Sequence, residues 1–255
     1  MLTLIFRAVA APRPHLFKAK KVLFVGPHPD DIEIGCGGTV LELIDAGVEV
    51  SFIICTDDRY SSIESSYDRA AQMELRKKEA LAACGFMGVR DVHFLDFQDG
   101  GLSYTVEDMT RALTLLYASI DADIIFAPDP NMRDECHLDH LKVGRAALAA
   151  LCTSDRPGIV QDLGGTGVSR HKAVALYYTD RPNTYVRVSG SNMKKKLEAI
   201  YLHESQMFGN ERNNITMYTK FRAIRFGLRR LCRYAEGFRL LEKSFHHCVT
   251  EWCDI

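Results

Sequence analysis

The sequence predicts an α/β fold with a mainly parallel sheet and helices packed on both of its faces. Three observations carry that expectation. Short β-branched and aromatic runs alternate with helical patterns along the chain, the order that builds βαβ units. Parallel strands joined through helices take right-handed crossovers, which place helices on both sides of the sheet. The 255 residues are 47% hydrophobic and 25% charged, a globular balance in a chain long enough to bury one large core.

The elements follow in order. Lys21-Val-Leu-Phe-Val-Gly26 reads as a buried strand. Pro27 onward forms a tight turn into a helix that starts near Gly35, whose pattern Val40, Leu41, Leu43 and Ile44 set and Gly47 ends. Val48 to Cys55 is a second strand, closing at Asp57 and Asp58, which read as loop residues. Residues 59–67 are a polar, Ser-rich loop, and 68–84 a helix that Gly85 stops. Val92 to Asp96 is a third strand, 105–120 a helix, and Asp123 to Pro128 a fourth strand. The charged loop Asn131 to Asp139 runs into a helix from Leu141 to Cys152. With Pro157, Gly158, Gly164, Gly165 and Gly167, residues 153–171 read as a long irregular connection. Ala173 to Tyr178 is a fifth strand, and helices follow over 191–203 and 216–234. Without internal repeats or a polar linker, the expected organisation is a leading segment, 1–20, and a single domain, 21–255, with a helical C-terminal elaboration.

Charge and cysteine content narrow the function. With 32 basic against 33 acidic residues the net charge is −1, which excludes a nucleic-acid binder working through a global basic field. No apolar run approaches the ~18 residues of a transmembrane helix. The segment Met1 to Pro12 lacks a basic start and is cut by Arg7, so it reads as a leading segment inside the cell. The eight cysteines include no Cys-x-x-Cys pair, as expected of reduced thiols in a cytoplasmic protein.

Ligands of open parallel sheets bind at the carboxyl ends of the strands. There the first strand offers His28-Pro-Asp30-Asp31, the third leads to Asp96 and Asp99, and the fourth to Asp129, Asp134, His137, Asp139 and His140. A dinucleotide fold would place a glycine fingerprint in the first turn, and two carboxylates there repel a pyrophosphate instead. Imidazoles and carboxylates from two strand ends suit a catalytic divalent cation with a position left for water, the arrangement of metal-assisted hydrolysis.

Pro27-His-Pro-Asp-Asp-Ile-Glu-Ile-Gly-Cys-Gly-Gly-Thr39 followed by His137-Leu-Asp-His140 resembles the LmbE-like, or PIG-L-type, zinc-dependent N-deacetylases. Arg76-Lys-Lys-Glu79, Phe94-Leu-Asp-Phe-Gln-Asp99-Gly100, His203-Glu-Ser-Gln206 and Tyr234-Ala-Glu-Gly-Phe238 are similar to further motifs of that family. The resemblance implies a Rossmann-like three-layer α/β/α fold and removal of acetyl from an N-acetylated amino sugar or glycoconjugate. It implies Zn2+ held by His28, Asp31 and His140, although ligand type alone does not exclude another divalent ion such as iron or cobalt. Asp30 is then the general base, His137 the electrophilic partner of the oxyanion, and Asp139 the residue orienting the His137 imidazole. Arg76 and Asp99 are candidates for gripping sugar hydroxyls, and family members often form homo-oligomers. Two departures stand out: Glu33 lies two residues after Asp31 rather than one, and Asp134 stands one position further from His137 than is usual.

Each residue has a plainer reading. His28 with Asp31, and His137 with Asp139, could cap helices. Arg76 could be a solvated charge paired with Glu79, and Asp99-Gly100 a turn. His246, His247, Cys248 and Cys253 fit no zinc spacing and read as a packed tail. Lys220, Arg222, Arg225, Arg229, Arg230 and Arg233 make the last helix basic, as a solvated or subunit-contact helix or one facing an anionic ligand. The competing functions are an amidase for a larger amide, such as a thiol conjugate, and a non-catalytic sugar-binding module. Keeping both a base and an open metal site is pointless in the latter.

Overall fold

A seven-stranded sheet orders the molecule as β3-β2-β1-β4-β5-β7-β6. The computed structural model describes residues 14–243 apart from 63 and 65. Met1 to Pro12 and the His246–Cys253 tail lie outside the described residues. The strands are β1 (Lys21–Gly26), β2 (Glu49–Thr56), β3 (Asp91–Phe97), β4 (Ile124–Pro128), β5 (Ala173–Tyr177), β6 (Thr184–Val188) and β7 (Tyr234–Glu242). β1 to β5 pair in parallel, and β7 pairs antiparallel with both β5 and β6. The helices are α1 (Asp31–Asp45), α2 (Arg69–Met87), α3 (Val106–Ile120), α4 (Leu138–Ser154), α5 (Pro157–Asp162), α6 (Gly190–Tyr201) and α7 (Glu211–Arg230). This is the expected three-layer α/β/α architecture.

Alternation along the strands sends side chains to two cores. Phe24, Phe52 and Phe126 pack with Cys36, Val40 and Leu43 of α1 and Cys84 and Met87 of α2. Leu23, Val25, Ile53 and Ile125 point the other way, against Leu113 and Tyr117 of α3 and Ala146 and Ala150 of α4. On the first face Phe24 stacks on Phe126 at 4.4 Å, and Phe238 meets Phe126 edge-on at 5.0 Å. Ala175, opposite Phe126 on β5, is small enough to let Phe238 reach across.

The glycines after the first turn serve packing. A Cβ on Gly35 would lie 2.7 Å from the Tyr177 ring, and one on Gly38 would lie 2.7 Å from Val188 and 2.9 Å from the Glu236 carboxylate. α1 therefore presses directly on β5 and the β6–β7 pair. Glu236 accepts the Gly38 and Thr39 amides at 3.0 and 2.7 Å and the Lys196 ammonium at 2.6 Å, all buried.

Several elements depart from the sequence reading. α1 begins at Asp31, so the turn is shorter than expected. α2 runs past Gly85 to Met87 and ends on Gly88 at φ 91°, the left-handed residue that a helix stop requires. The 153–171 connection contains α5, opened by Pro157 at its first turn. The last helix starts earlier and stops at Arg230, where Leu231 takes φ 55°. The chain then turns into β7, so strands β6 and β7 join helices α6 and α7 in the C-terminal part that was expected to be helical.

Candidate active site

Beyond β1 the chain runs outward through β2 and β3, then returns to β4 on the other side of β1. The carboxyl ends of β1 and β4 thus flank the crevice where the strand order reverses, the place ligands occupy in such sheets. α1 and α4 both begin there. Asp68, Thr105 and Ser189 cap α2, α3 and α6 through their side chains. The N-cap residues of α1 and α4 are Asp30 and His137, and neither makes a side-chain cap. The capping reading thus fails for His137, and at the first helix the N-cap position falls on Asp30, between His28 and Asp31, rather than on either of them. Asp30 takes φ 109°, a left-handed conformation costly for a non-glycine residue.

Ligand atoms of His28, His137 and His140 lie within 4.8 Å of one another, as do those of His28, Asp99, His137 and Asp139. Asp31 Oδ2 sits 3.1 Å from His28 Nδ1 and 3.4 Å from His140 Nε2. His28 Nε2 faces Asp99 Oδ1 and Asp139 Oδ2, each at 3.3 Å. Burial alone would lower the His28 pKa, yet hydrogen bonds to Asp139, Asp31 and Asp99 outweigh it and hold the imidazole well above its ordinary value. Burial pushes the Asp31 carboxyl up, but His140 and His28 hold it well below the usual range. Asp99 is similarly held at about 2, His28 overcoming its burial. The field that favours a proton on His28 favours a cation among the same atoms. The donor set, imidazole nitrogens with carboxylate oxygens, suits a divalent transition metal.

Glu135 completes this group. Its Oε2 lies 3.0 Å from His140 Nδ1 and its Oε1 accepts the His137 amide at 2.8 Å. A carboxylate on the far nitrogen of an imidazole fixes its tautomer and strengthens it as a ligand. Tyr178 stacks on the His140 ring at 5.8 Å, and its hydroxyl lies 3.2 Å from Asp31 Oδ1. The sequence reading dwelt on Asp134 and passed over its neighbour Glu135.

Under Asp30 lies a second buried network. Arg76 is 1% exposed, and its guanidinium donates to Asp58, to the Pro29 carbonyl, to Asp30 at 2.9 Å and to Glu79 at 2.8 Å, with His203 Nδ1 3.3 Å away. Its N–H groups are spent on protein acceptors. Arg76 is thus neither a solvated charge nor free for a sugar hydroxyl; it holds Asp30 in place. His203 Nε2 lies 3.5 Å from Glu33, and Ser205 donates to Glu79 through its amide and its hydroxyl, each at 2.7 Å. Asp58 is a loop residue, but one buried so that its carboxyl is pushed up to about 6 against the pull of Arg76. Burial likewise raises the Asp30 pKa, Arg76 opposing it.

Asp99 lies in the cluster rather than at its rim. Besides His28 it accepts the Tyr60 amide at 3.1 Å, leaving little of it for a sugar hydroxyl. Asp139 is fully buried, accepting from Tyr104 and from the Gly100 amide at 2.8 Å. It stands nearer His28 than His137, whose Nδ1 is 3.6 Å away. The His137 side chain is 47% exposed and faces the open side. Burial and the charges of His28 and His140 lower its pKa.

The pattern of the family described as PIG-L, GlcNAc-PI de-N-acetylase, matches residues 23–151, which span both halves of this crevice. The chain belongs to that family. The PIG-L relatives include the diacetylchitobiose deacetylase of Thermococcus kodakarensis, 33% identical over 89% of this chain and 85% of its own length. The probable N-acetyl-α-D-glucosaminyl L-malate deacetylase 2 of Bacillus cereus is 29% identical, with 73% of this chain and 84% of that protein covered. The solved N,N'-diacetylchitobiose deacetylase of Pyrococcus horikoshii superposes with a TM-score of 0.85 at 34% identity, covering 93% of this chain and 89% of that one. No helix among the described residues is long and apolar enough to cross a membrane.

Proposed function

We propose that this PIG-L protein is a zinc-dependent N-deacetylase that hydrolyses the acetamide of an N-acetylated amino sugar or its conjugate. The observation that carries the reading is the convergence of His28, His137 and His140 with buried carboxylates at the carboxyl ends of β1 and β4. Relatives named for diacetylchitobiose and for N-acetylglucosaminyl malate support an N-acetylglucosamine unit as the part recognised.

His28, Asp31 and His140 are the ligands this reading assigns to zinc. Asp31 faces both imidazoles, and Glu135 backs the second. Bound there, the metal polarises the acetamide carbonyl and lowers the pKa of water. Asp30, held by Arg76, takes the proton of the attacking water. His137, on the open side, donates a hydrogen bond to the carbonyl oxygen as negative charge develops on it, a contribution of about 3 kcal/mol for a well-placed donor. Asp139 orients the imidazoles around it. Asp30 or His137 returns a proton to the departing amine.

Acetate release from N-acetylglucosamine and N,N'-diacetylchitobiose tests the reading. Release is expected to stop with a chelator and return with zinc. Release indifferent to chelation would remove the metal from the mechanism, and no release from any N-acetyl sugar would remove the deacetylase.

A further inference from the structure

A cavity of about 230 Å³ opens at the same edge of the sheet, between the loops after β4 and β5 and one side of α7. One of its walls is Tyr178, whose ring stacks on His140. The cavity is therefore one aromatic ring away from the candidate metal ligands.

Its charge is unusual for this molecule. Arg222 is half-buried, its guanidinium 5.3 Å from the Tyr178 ring centroid and 5.6 Å from that of Phe226, and it donates to the Tyr218 hydroxyl at 3.4 Å. Arg225 lies over Phe226 at 5.6 Å. Among the described residues no carboxylate stands within ion-pair distance of either. Elsewhere the buried cations are matched: Arg76 has Asp30, Asp58 and Glu79, and Lys196 has Glu236. Arg133, also at the cavity, is matched by Asp180 at 2.8 Å. A half-buried guanidinium without an anion is poised to receive one, since its planar fork fits a carboxylate or phosphate in two bonds. At the mouth Tyr218 and Phe221 are 48% and 64% exposed, flat apolar faces that nothing in the fold requires to be outside.

We propose that this cavity is a subsite for an anionic group, carboxylate or phosphate, on the unit linked to the N-acetyl sugar, with Arg222 as its chief contact and Arg225 at its entrance. The inference rests on the deacetylase reading and deepens it: the preferred substrate is an acidic conjugate of the amino sugar, not the neutral sugar alone. Tyr218 and Phe221 give the linked unit an apolar platform.

The test compares kcat/KM for acetate release by the zinc-loaded protein on three substrates: N,N'-diacetylchitobiose, N-acetylglucosamine 1-phosphate and N-acetylglucosaminyl malate. The phosphate and carboxylate arms separate the two sources of charge. At least one acidic substrate is expected to exceed the neutral one by about tenfold, chiefly through KM. In Arg222→Gln the acidic-to-neutral ratio is expected to fall about tenfold, and in Arg222→Lys to recover in part. Arg225→Gln, at a more exposed position, is expected to lower the ratio by a smaller factor. Equal rates on all three substrates, or a ratio unmoved in the Gln variants, would overturn the subsite while leaving the deacetylase intact. If none of the substrates releases acetate, calorimetric titration of the zinc-loaded protein and its Arg222→Gln variant with N-acetylglucosamine 1-phosphate decides. Weaker binding in the variant supports the subsite, and equal binding overturns it.

Discussion

Two sets of buried charges flank α1, and they are built differently. Behind the middle of the helix, Lys196 and Glu236 face each other at 2.6 Å, 3% and 5% exposed, with the remaining carboxylate and ammonium bonds closed by the Gly38 and Thr39 amides and the Ile34 carbonyl. At the N-terminus, carboxylates of Asp31, Asp99 and Asp139 converge on one imidazole, that of His28. The first set balances within the protein. The second carries a surplus of negative charge that only an added cation, a proton or a metal, can offset. A balanced buried pair is a structural element, and an unbalanced one held in place by its surroundings is a site.

That contrast predicts separable effects. Asp30→Ala is expected to lower kcat by about 10²–10⁴-fold, the usual loss of a general base, while elemental analysis finds zinc at the wild-type stoichiometry. Turnover close to wild type would remove Asp30 from the base role. Lys196→Met leaves Glu236 buried without its cation and is expected to cost about 3–5 kcal/mol in urea unfolding, with the zinc affinity of the folded protein unchanged. A parallel loss of zinc would mean that the two charge sets are coupled through α1. Glu135→Gln has the smallest expected effect, a zinc affinity lower by about 10–100-fold at nearly unaltered stability. An affinity equal to wild type would show that the bond to His140 Nδ1 does nothing for the metal.

The parts legible in the sequence were those carried by local pattern. β1 to β5 announce themselves by hydrophobic runs, and His28, Asp31, His137 and His140 meet because β1 and β4 are neighbours whose carboxyl ends coincide. β6 and β7 escaped because Thr184 to Val188 is only partly buried, and because the basic pattern of α7 runs on past Leu231, whose backbone conformation ends the helix. Arg76 was visible as a motif but not as a pin, since its partners Asp30 and Asp58 come from loops 46 and 18 residues away. Nor did anything before α4 mark Glu135: its role depends on how the loop folds back over His140.

The pairing of β1 with β4 also sets the order of events as the chain is made. His28 and Asp139 are 111 positions apart, with three strands and three helices between them. A ribosome therefore releases one half of the crevice long before the other, and the first half alone offers a metal ion only His28 and the carboxylates beside it. On the proposed reading, capture of the ion must wait until β4 docks against β1, so metal loading would report on long-range assembly of the sheet, not on local helix formation.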